Sequence, residues 1–303
     1  MTAAPGTPPL EADQIAGVRS FHRMVTERVG ALHDHYLGRH RPLGESRLLW
    51  EIGDGEAEIR QLRGRLGLDS GYISRLLTSL EEEGLVRVGP SPSDRRVRSV
   101  RLTTRGRRER ATLDRLSDSL VGSLLEPLSA RQRQRLTAAM AEVERLLVAS
   151  MVELEAADPT QDHSARWCLE SYFAELGARF ERGFDPATSH TPDPAVFLPP
   201  GGLFLLARLR EEPVGCGALQ LADPETADLK RMWVAPKARG LGLGRRLLAE
   251  LERRAAALGA TTARLDTNRA LTEAVALYRS AGYEEVEPFS TEPYAHHWFA
   301  KKL

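Results

Sequence analysis

Apolar residues recur at helical spacing through most of the first half of the chain. The predicted helices cover 11–37, 45–52, 57–66 and 70–83. Alternating apolar and polar residues over 85–88 and 97–102 then predict two strands. The segment between these strands is rich in Pro and Ser and predicts a turn, which makes the strands a hairpin. A mainly helical unit with one hairpin is therefore expected.

The second half of the chain mixes helices with strands. The predicted elements are, in order, a helix over 165–180, strands over 203–209, 214–221 and 229–234, a helix over 245–258, a strand over 262–268 and a helix that ends at Gly282. In the third strand the apolar positions change phase, from odd-numbered Leu229 to even-numbered Met232 and Val234, and a β-bulge near 230–231 would produce this change. The expected fold class is α/β overall, with a mainly α N-terminal domain and an α+β C-terminal domain.

The length of the chain predicts two separately cored domains. At 303 residues it is about twice the size of one ordinary domain. A polar segment over 153–163, which contains Pro159, separates the two patterns and has the composition of a linker. The predicted domains therefore cover 1–152 and 164–303.

Composition narrows the class of protein and its compartment. The chain is 42% hydrophobic and 28% charged, and no apolar run approaches the roughly 18 to 20 residues of a membrane span. The first 14 residues lack the basic and apolar regions of a signal peptide. The two cysteines, Cys168 and Cys216, are far apart and have no metal-ligand spacing. These features predict a cytoplasmic protein with no membrane association, no disulfide framework and no metal site.

Positive charge is concentrated around the predicted hairpin, although the formal net charge of the chain is zero. Between residues 85 and 115 there are ten arginines and three acidic residues. Such a stretch favours a polyanionic partner. The alternative is a solvated basic face that binds nothing.

The predicted helix over 70–83 has two chemically distinct faces. Its apolar face consists of Ile73, Leu76, Leu77 and Leu80, and its opposite face consists of Gly71, Tyr72, Ser74, Arg75, Thr78 and Ser79. A Gly-containing turn over 67–69 joins it to the preceding helix, as in a helix-turn-helix. A small and polar outer face lets a helix backbone approach base edges in the major groove. The pattern therefore favours DNA recognition.

The run SGYISRLLTSLEEEGLVRVGPSPSDRRVRSVRLTTRG resembles the MarR family of winged-helix regulators, through the spacing of its D-R-R and L-T-x-x-G motifs. The resemblance extends over about 11–150. It implies that double-stranded DNA is a partner and that Tyr72, Ser74 and Arg75 face the major groove. It also implies that Arg95 enters the minor groove from the hairpin, or wing.

The same resemblance implies that Asp94 and Arg96 pair at the tip of the wing and place it on the DNA. The alternative is that the wing arginines are only solvated and that Arg75 pairs with Glu82 or Glu83.

Residues 129–132, with the pattern S-x-x-Q, form a capping box that predicts a helix running to about Met151. One face of this helix is apolar, with Leu136, Met140, Val143 and Leu147. A single winged helix has no core to receive both this face and that of the first helix. The resemblance implies that the two helices build a homodimer interface. The alternative is that they pack only within the chain.

The loop over 239–244 has glycine at alternate positions, Gly240, Gly242 and Gly244. Glycine lets a loop expose consecutive backbone N–H groups, and a helix that begins directly afterwards adds its positive dipole end. The loop is therefore predicted to bind an anion. It lacks the G-x-G-x-x-G spacing of a dinucleotide-binding loop, which disfavours a Rossmann fold.

The pattern R-x-x-G-x-G after V-x-P resembles the coenzyme A pyrophosphate loop of the GNAT N-acetyltransferases. The segments ADLKRMWVAP, RLDTNRALTEAVALYRSAGYEEV and AHHWFAKKL follow in the expected order, and the resemblance covers 164–303. It implies a splayed mixed sheet, acetyl-CoA as cosubstrate without a metal, and an amine acceptor that is either a small molecule or a lysine side chain.

The resemblance also implies a set of coenzyme-binding residues. Backbone groups of Met232, Trp233 and Val234 would bind the pantetheine arm. The pyrophosphate would be held by Arg239, Gly240, Leu241, Gly242, Leu243, Gly244 and Arg245. Asn268 would meet the pantetheine or a bound water.

Two residues are implied to be catalytic. Tyr278 would protonate the departing thiolate, the alternative being that it is a core aromatic at helical spacing with Ala274 and Leu277. Asp228 is a candidate base for the amine. Of the adjacent His296 and His297, at most one would face the site, because neighbouring side chains on a strand point to opposite faces.

The favoured function is direct transfer of acetyl from acetyl-CoA to an amine by a protein that also binds DNA as a regulator. One alternative is a regulator whose GNAT-like half only senses a ligand. Another is an acetyltransferase whose winged helix serves only for dimerisation. The acceptor pocket is expected to be shaped by Trp167, Tyr172, Phe173, Phe184 and the segment 294–298.

Overall fold

The computed structural model describes residues 10–31, 35–91, 94–189 and 193–303. The chain forms two compact units, Met1–Leu136 and Thr137–Leu303. The boundary between these two units falls inside a helix, whereas the predicted domain boundary lies at residue 152. That the two sides of residue 152 have separate functions stays a prediction. The first unit is mainly helical and the second contains a large mixed sheet, which confirms the α/β class.

The first unit contains five helices, part of a sixth and three strands within its described residues. They are α1 (Ala12–Arg28), α2 (Leu43–Ile52), β1 (Glu56–Glu58), α3 (Ile59–Leu66), α4 (Ser70–Glu82), β2 (Val86–Pro90), β3 (Arg98–Leu102), α5 (Thr104–Leu125) and α6 (Ala130–Ser150), which crosses the boundary. The strands form an antiparallel sheet in the order β1-β3-β2. The hydrophobic core of the first unit includes Leu48, Leu62, Leu80 and Leu113, all fully buried.

The first helix is shorter than its periodicity predicts. It ends at Arg28 instead of Leu37, because Gly30 adopts a left-handed φ of 69°. The N–H of Ala31 donates to Thr26 O, which satisfies a carbonyl at the end of α1. Leu37 instead belongs to a short 3-10 turn, and residues 32–34 of the predicted helix lie outside the described residues.

The L-T-x-x-G motif after the wing has a structural cause. The Thr103 hydroxyl donates to Gly84 O and accepts from the N–H of Gly106, and so caps α5. A Cβ on Gly106 would lie 1.9 Å from Leu85 O. Only glycine therefore lets α5 pack this closely against the start of the wing.

The second unit is built on a seven-stranded sheet. Its elements are β4 (Val152–Ala156), α7 (His163–Arg179), β5 (Gly202–Leu209), β6 (Glu212–Asp223), β7 (Thr226–Val234), α8 (Leu243–Ala257), β8 (Thr262–Thr267), α9 (Thr272–Ser280), β9 (Glu284–Glu285) and β10 (His297–Lys302). The strand order is β4-β5-β6-β7-β8-β10-β9. Side chains of β5 alternate between two cores, since Leu205 packs with the α8 side and Phe204 with the α7 side.

The predicted linker is wrong for its first residues. Residues 153–156 belong to β4, which pairs with β5 from Val152 opposite Leu209 to Ala156 opposite Leu205. The segment is polar because β4 is an edge strand with one face in solvent. Its amino-acid composition is therefore similar to that of a linker. His163 already begins α7, which Asp162 caps.

Strands β7 and β8 produce the expected splay of the sheet. They are parallel and pair only from Thr226 opposite Thr262 to Asp228 opposite Arg264. Beyond these residues the two strands continue to Val234 and Thr267 without pairing to each other, while each stays paired with its outer neighbour, β6 or β10. A cleft therefore opens between their carboxyl-terminal halves.

The predicted bulge lies in β7. Cys216 pairs with Trp233 and Ala218 pairs with Lys230, so β7 has one more residue than β6 over this stretch. Arg231 has a left-handed φ of 58°. A Cβ on Gly217, opposite the bulge, would lie 2.9 Å from the Met232 sulfur, so a side chain there would collide with the bulge.

Candidate functional site

One cavity of the second unit follows the glycine-rich loop and is called the loop cleft here. It is bounded by the end of β7, the loop over 239–244 and the facing sides of α7 and α9. Its lining residues are Tyr172, Glu175, Leu176, Arg179, Met232, Trp233, Val234, Ala238, Arg239, Gly240, Gly242, Leu243, Gly244, Arg245, Leu271, Glu273, Ala274, Leu277 and Tyr278. The structure thus brings together most residues predicted to hold the coenzyme, whereas Leu241 and Asn268 do not line this cleft.

The glycines of the loop have different roles. Gly240 and Gly242 adopt left-handed φ values of 78° and 71°. Helix α8 begins at Leu243, two residues earlier than predicted, because Gly242 acts as its N-cap. Gly244 is consequently helical, and a Cβ there would lie 3.4 Å from Leu277. The first N–H groups of α8 have no acceptor within the helix and lie at its positive end, so the loop can bind an anion.

Two arginines flank the loop and are already hydrogen-bonded. Arg239 donates from Nε to Val234 O over 3.1 Å and from Nη2 to Glu175 Oε2 over 2.5 Å. Arg245 donates to Ser280 Oγ over 2.7 Å. Both side chains are partly exposed in the cleft and are held near the loop by these bonds.

A second cavity, called the aromatic cavity here, lies on the other side of the bulge. Its lining residues are Tyr172, Leu176, Phe180, Phe184, Ser189, Leu229, Lys230, Arg231, Met232, Asp266, Thr267, Asn268, Leu271, Ala274, Tyr278, Glu292, Tyr294 and Ala295. Six residues line both cavities: Tyr172, Leu176, Met232, Leu271, Ala274 and Tyr278. Because these residues are shared, the two cavities adjoin at the bulge.

Tyr278 lies where the two cavities adjoin and is 6% exposed. Burial raises the pKa of its phenol above the ordinary value, and the nearby Tyr172 and Asp266 raise it further. Burial also raises the pKa of Tyr172, although the Arg231 guanidinium opposes that shift. Tyr278 is therefore a protonated phenol at the point where the two cavities adjoin.

Asp228 does not line either cavity. Its carboxylate accepts from Arg264 Nε over 2.5 Å, and the residue is 8% exposed. The structure places two other carboxylates in the aromatic cavity, those of Asp266 and Glu292. Sequence reasoning missed both, because their approach to the cavity depends on the packing of β8 and of the segment before β10.

Asn268 uses its side chain within the protein. Its Nδ2 donates to Tyr294 O over 2.7 Å, and its Oδ1 accepts from the N–H of Ala270 over 2.9 Å. It lines the aromatic cavity. Asn268 therefore joins the end of β8 to Tyr294 of the aromatic cavity, a role different from the predicted contact with pantetheine.

The predicted pocket-shaping aromatics divide into two groups. Tyr172, Phe184 and Tyr294 line the aromatic cavity, and Phe173 stacks behind Phe184 with ring centroids 5.7 Å apart. Trp167 does not line it and packs edge-on against Trp233. His297 contacts Glu285 at 2.6 Å instead of entering a cavity.

In the first unit, α4 presents the predicted polar face. Tyr72, Ser74 and Arg75 are exposed, and the Arg75 guanidinium lies 5.6 Å from the centre of the Tyr72 ring. Ser79 was predicted to face outward, but it is half-buried and donates to Glu45 Oε1 over 2.8 Å. The predicted face is thus exposed from Gly71 to Thr78, and of its predicted members Ser79 alone is not exposed.

The wing carries Arg95 and Arg96 as exposed side chains. Asp94 accepts from the backbone N–H of Arg96 over 2.9 Å, which holds the turn. Glu83 forms an ion pair with Arg41, and Arg75 forms no ion pair among the described residues. Other exposed arginines of the wing region are Arg87, Arg98 and Arg101.

Helices α1 and α6 have exposed apolar side chains. Those of α1 are Ile15, Val18, Phe21 and Met24, and those of α6 are Met140, Leu146 and Leu147. The predicted capping box at the start of α6 is present, since the N–H of Ser129 donates to Gln132 Oε1 over 2.9 Å. The apolar side of each helix is therefore not covered by other parts of this chain, and neither helix contains a buried residue.

No helix in the described ranges has the length and apolarity to cross a membrane. No group of three or more His, Cys, Asp or Glu side chains in those ranges could hold a metal ion.

Comparison with known proteins finds a family match within each half. Residues 161–283 match the profile of the Acetyltransferase (GNAT) family, and residues 39–97 match that of the MarR family. An IAA acetyltransferase from Azospirillum brasilense is 39% identical over 122 residues, which are 40% of this chain and 75% of that protein.

Solved structures are similar to each half separately. An acetyltransferase of GNAT family from Staphylococcus aureus Mu50 covers 50% of this chain with a TM-score of 0.44 and 20% identity, over 98% of its own length. A probable transcriptional regulator from Pseudomonas aeruginosa covers 43% of this chain with a TM-score of 0.37 and 21% identity, over 97% of its length. The chain belongs to the GNAT acetyltransferase family through its second half, and residues 39–97 of its first half are similar to the MarR family.

Proposed function

We propose that the second unit transfers the acetyl group of acetyl-CoA to a primary amine, and that the first unit binds double-stranded DNA as a homodimer. The observation that carries the first part is the meeting of two cavities at Tyr278. One cavity has an anion-binding loop suited to a coenzyme, and the other has an aromatic wall suited to an acceptor.

The residues of the loop cleft fit acetyl-CoA as a substrate. The first N–H groups of α8, together with Arg239 and Arg245, would hold the pyrophosphate. The edge of β7 from Met232 to Val234 that faces away from β6 would bind the pantetheine arm, because β8 has already separated from it. Acetyl-CoA supplies an acetyl thioester to the point where the cavities adjoin.

In the reaction, the amine nitrogen forms a bond to the acetyl carbon and the carbon–sulfur bond breaks. Tyr278 donates its phenolic proton to the departing sulfur; the phenol is protonated at neutral pH, and burial raises its pKa further above the ordinary value. The proton that the amine loses passes to a carboxylate of the aromatic cavity, Asp266 or Glu292, directly or through water.

Direct attack by the amine is favoured over a covalent enzyme intermediate. Neither Cys168 nor Cys216 lines either cavity, and both are fully buried. Burial raises the pKa of the Cys216 thiol, which disfavours the nucleophilic thiolate.

The DNA-binding part of the proposal rests on two surfaces. The exposed face of α4, with Tyr72, Ser74 and Arg75, would meet the major groove, and Arg95 and Arg96 would bring the wing to the adjoining minor groove. The apolar faces of α1 and α6 would pair two copies, so that two recognition helices meet one operator. Acetyl-CoA and DNA are both available in the cytoplasm, the location we infer.

The enzyme proposal is tested by the release of CoA from acetyl-CoA in the presence of a panel of amines. Amine-dependent release at a rate above hydrolysis is expected. If calorimetry shows that acetyl-CoA binds but no amine causes release of CoA, the second unit would act as a ligand sensor and the enzyme proposal would be wrong.

The DNA proposal is tested by band shift on genomic fragments and by sedimentation. A dimer that shifts a fragment at low salt is expected. A monomer, or a dimer that shifts no duplex, would contradict it.

A further inference from the structure

The Arg231 side chain is buried in the aromatic cavity without a carboxylate partner. The residue is 8% exposed, and its Nη2 has no hydrogen-bond partner. Its guanidinium carbon lies 5.0 Å from the Phe173 ring centre and 5.8 Å from that of Tyr172. No ion pair joins Arg231 to an acidic residue within the described ranges. A buried guanidinium is destabilising unless an anion compensates its charge.

The protein fixes Arg231 in this position. The bulge gives the residue a left-handed φ of 58°, which an L side chain rarely adopts. Its carbonyl accepts from the Cys216 thiol over 3.3 Å. The backbone is therefore held in a form that directs the side chain between β7 and the aromatic residues of α7.

The carboxylates of the same cavity are engaged elsewhere. Asp266 pairs with Lys230 over 2.9 Å and accepts from Ser290 over 3.1 Å. Glu292 accepts from the Ser189 hydroxyl over 3.0 Å. The positive charge of Arg231 is thus left for a ligand.

The position of Arg231 relates that ligand to the reaction. Arg231 directly precedes Met232, and Met232 lines both cavities at the point where they adjoin. A negative group bound to Arg231 would therefore lie within a few bonds of the amine that is acetylated.

The body of the ligand would meet the aromatic wall. The Phe184 and Tyr294 ring centres are 4.9 Å apart, and those of Phe180 and Tyr294 are 5.7 Å apart. These rings offer apolar contact and edge-to-face packing to a ring of the ligand.

We propose that Arg231 binds the carboxylate of the acceptor, and that the acceptor is a free α-amino acid with an aromatic or other large apolar side chain. The proposal rests on the acetyltransferase function above and names its substrate class. Polyamines are poor acceptors, because they would add positive charge beside Arg231. Lysine side chains within proteins are also poor acceptors, because they have no carboxylate near the amine.

The experiment compares matched pairs of acceptors with the full chain. Phenylalanine is paired with phenethylamine, tryptophan with tryptamine, and leucine with isopentylamine, so that each pair differs only in the carboxylate. Rates of CoA release are measured for the wild type, for Arg231→Gln and for Arg269→Gln, a control at an exposed arginine paired with Glu181.

The wild type is expected to prefer an amino acid over its amine by about 10- to 100-fold in kcat/KM, the scale of a hydrogen-bonded charge. Arg231→Gln is expected to remove this preference by slowing the amino acid alone, and Arg269→Gln to keep it. N-acetylphenylalanine should raise the Tm of the wild type and of Arg269→Gln but not of Arg231→Gln.

Acetyl-CoA affinity, measured by calorimetry, shows whether Arg231→Gln is folded; if it is not, Arg231→Lys is used, which keeps charge but loses the two-pronged contact. Equal or faster acetylation of the amines by the wild type would overturn this substrate class and leave the enzyme proposal intact. Absence of CoA release with every acceptor would overturn both.

Discussion

Arg239 and Glu175 are joined across the loop cleft, with Arg239 Nη2 donating to Glu175 Oε2 over 2.5 Å. The same carboxylate oxygen accepts from Trp233 Nε1 over 2.8 Å. A negative charge therefore lies beside the site proposed for the pyrophosphate. The ligand must share Arg239 with this carboxylate or displace it.

We predict that Glu175→Gln raises the affinity for coenzyme A by about three- to ten-fold, because removal of the negative charge leaves Arg239 to the phosphates. Calorimetry at fixed salt measures the change. Glu181→Gln is the control, since that carboxylate is exposed and contacts only Arg269 among the pairs described. A loss of affinity in Glu175→Gln would show instead that the carboxylate holds Arg239 in its binding position.

Tyr278→Phe is expected to lower turnover about ten-fold or more while coenzyme A affinity changes little, since only the proton donor is lost. The raised pKa of Tyr278 means that its protonated form persists above the ordinary tyrosine pKa of 10. Wild-type activity should therefore show no loss from this group as pH rises toward 10.

The matched control is Tyr283→Phe, at a buried tyrosine whose ring centre is 6.0 Å from that of Tyr278 and which lines neither cavity. Steady-state kinetics over pH compare the two variants. Equal turnover in Tyr278→Phe and the wild type would remove Tyr278 from the mechanism.

Gly242→Val is expected to abolish coenzyme binding. The position has a φ of 71° and nothing within 4 Å of an added Cβ, so the side chain would stand in the approach to the loop and strain the start of α8. Gly183→Val has the same φ and equally open surroundings, and so measures strain alone. Normal affinity in Gly242→Val by calorimetry would contradict the loop assignment.

Gly106→Ala is expected to destabilise the first unit by roughly 1 to 3 kcal/mol, because the new Cβ would collide with Leu85 O. Gly122→Ala, on the same helix α5 with open space around it, should instead stabilise by about 0.5 to 1 kcal/mol. Denaturant unfolding measures both. Similar effects of the two substitutions would mean that α5 does not pack against Leu85 as described.

DNA affinity should fall steeply as salt rises, because arginines displace counterions from phosphates. Arg95→Ala is expected to weaken binding to all sequences and to reduce the salt slope by about 1. Arg75→Ala should also change sequence preference, because it removes a contact to a base edge. Arg47→Ala, at an exposed arginine paired with Glu51, is the control. If Arg75→Ala and the wild type have identical sequence preferences, Arg75 contacts only the DNA backbone.

The sequence by itself determined the features that depend on nearby residues. The glycine-rich loop, the bulge near Arg231 and the capping box at Ser129 follow from local spacing, and the structure contains all three. Each is set by backbone conformations and hydrogen bonds within a few positions, which the order of side chains specifies directly. The family resemblances rest on such local motifs.

Only the tertiary structure decided which distant groups meet. Asp228 pairs with Arg264 on a neighbouring strand, and residues 153–156 become an edge strand by pairing with β5. Arg231 is recognised as an unpaired charge only when the residues packed around it are known. These outcomes depend on strand order and on contacts between residues tens of positions apart, so local patterns of polarity do not determine them.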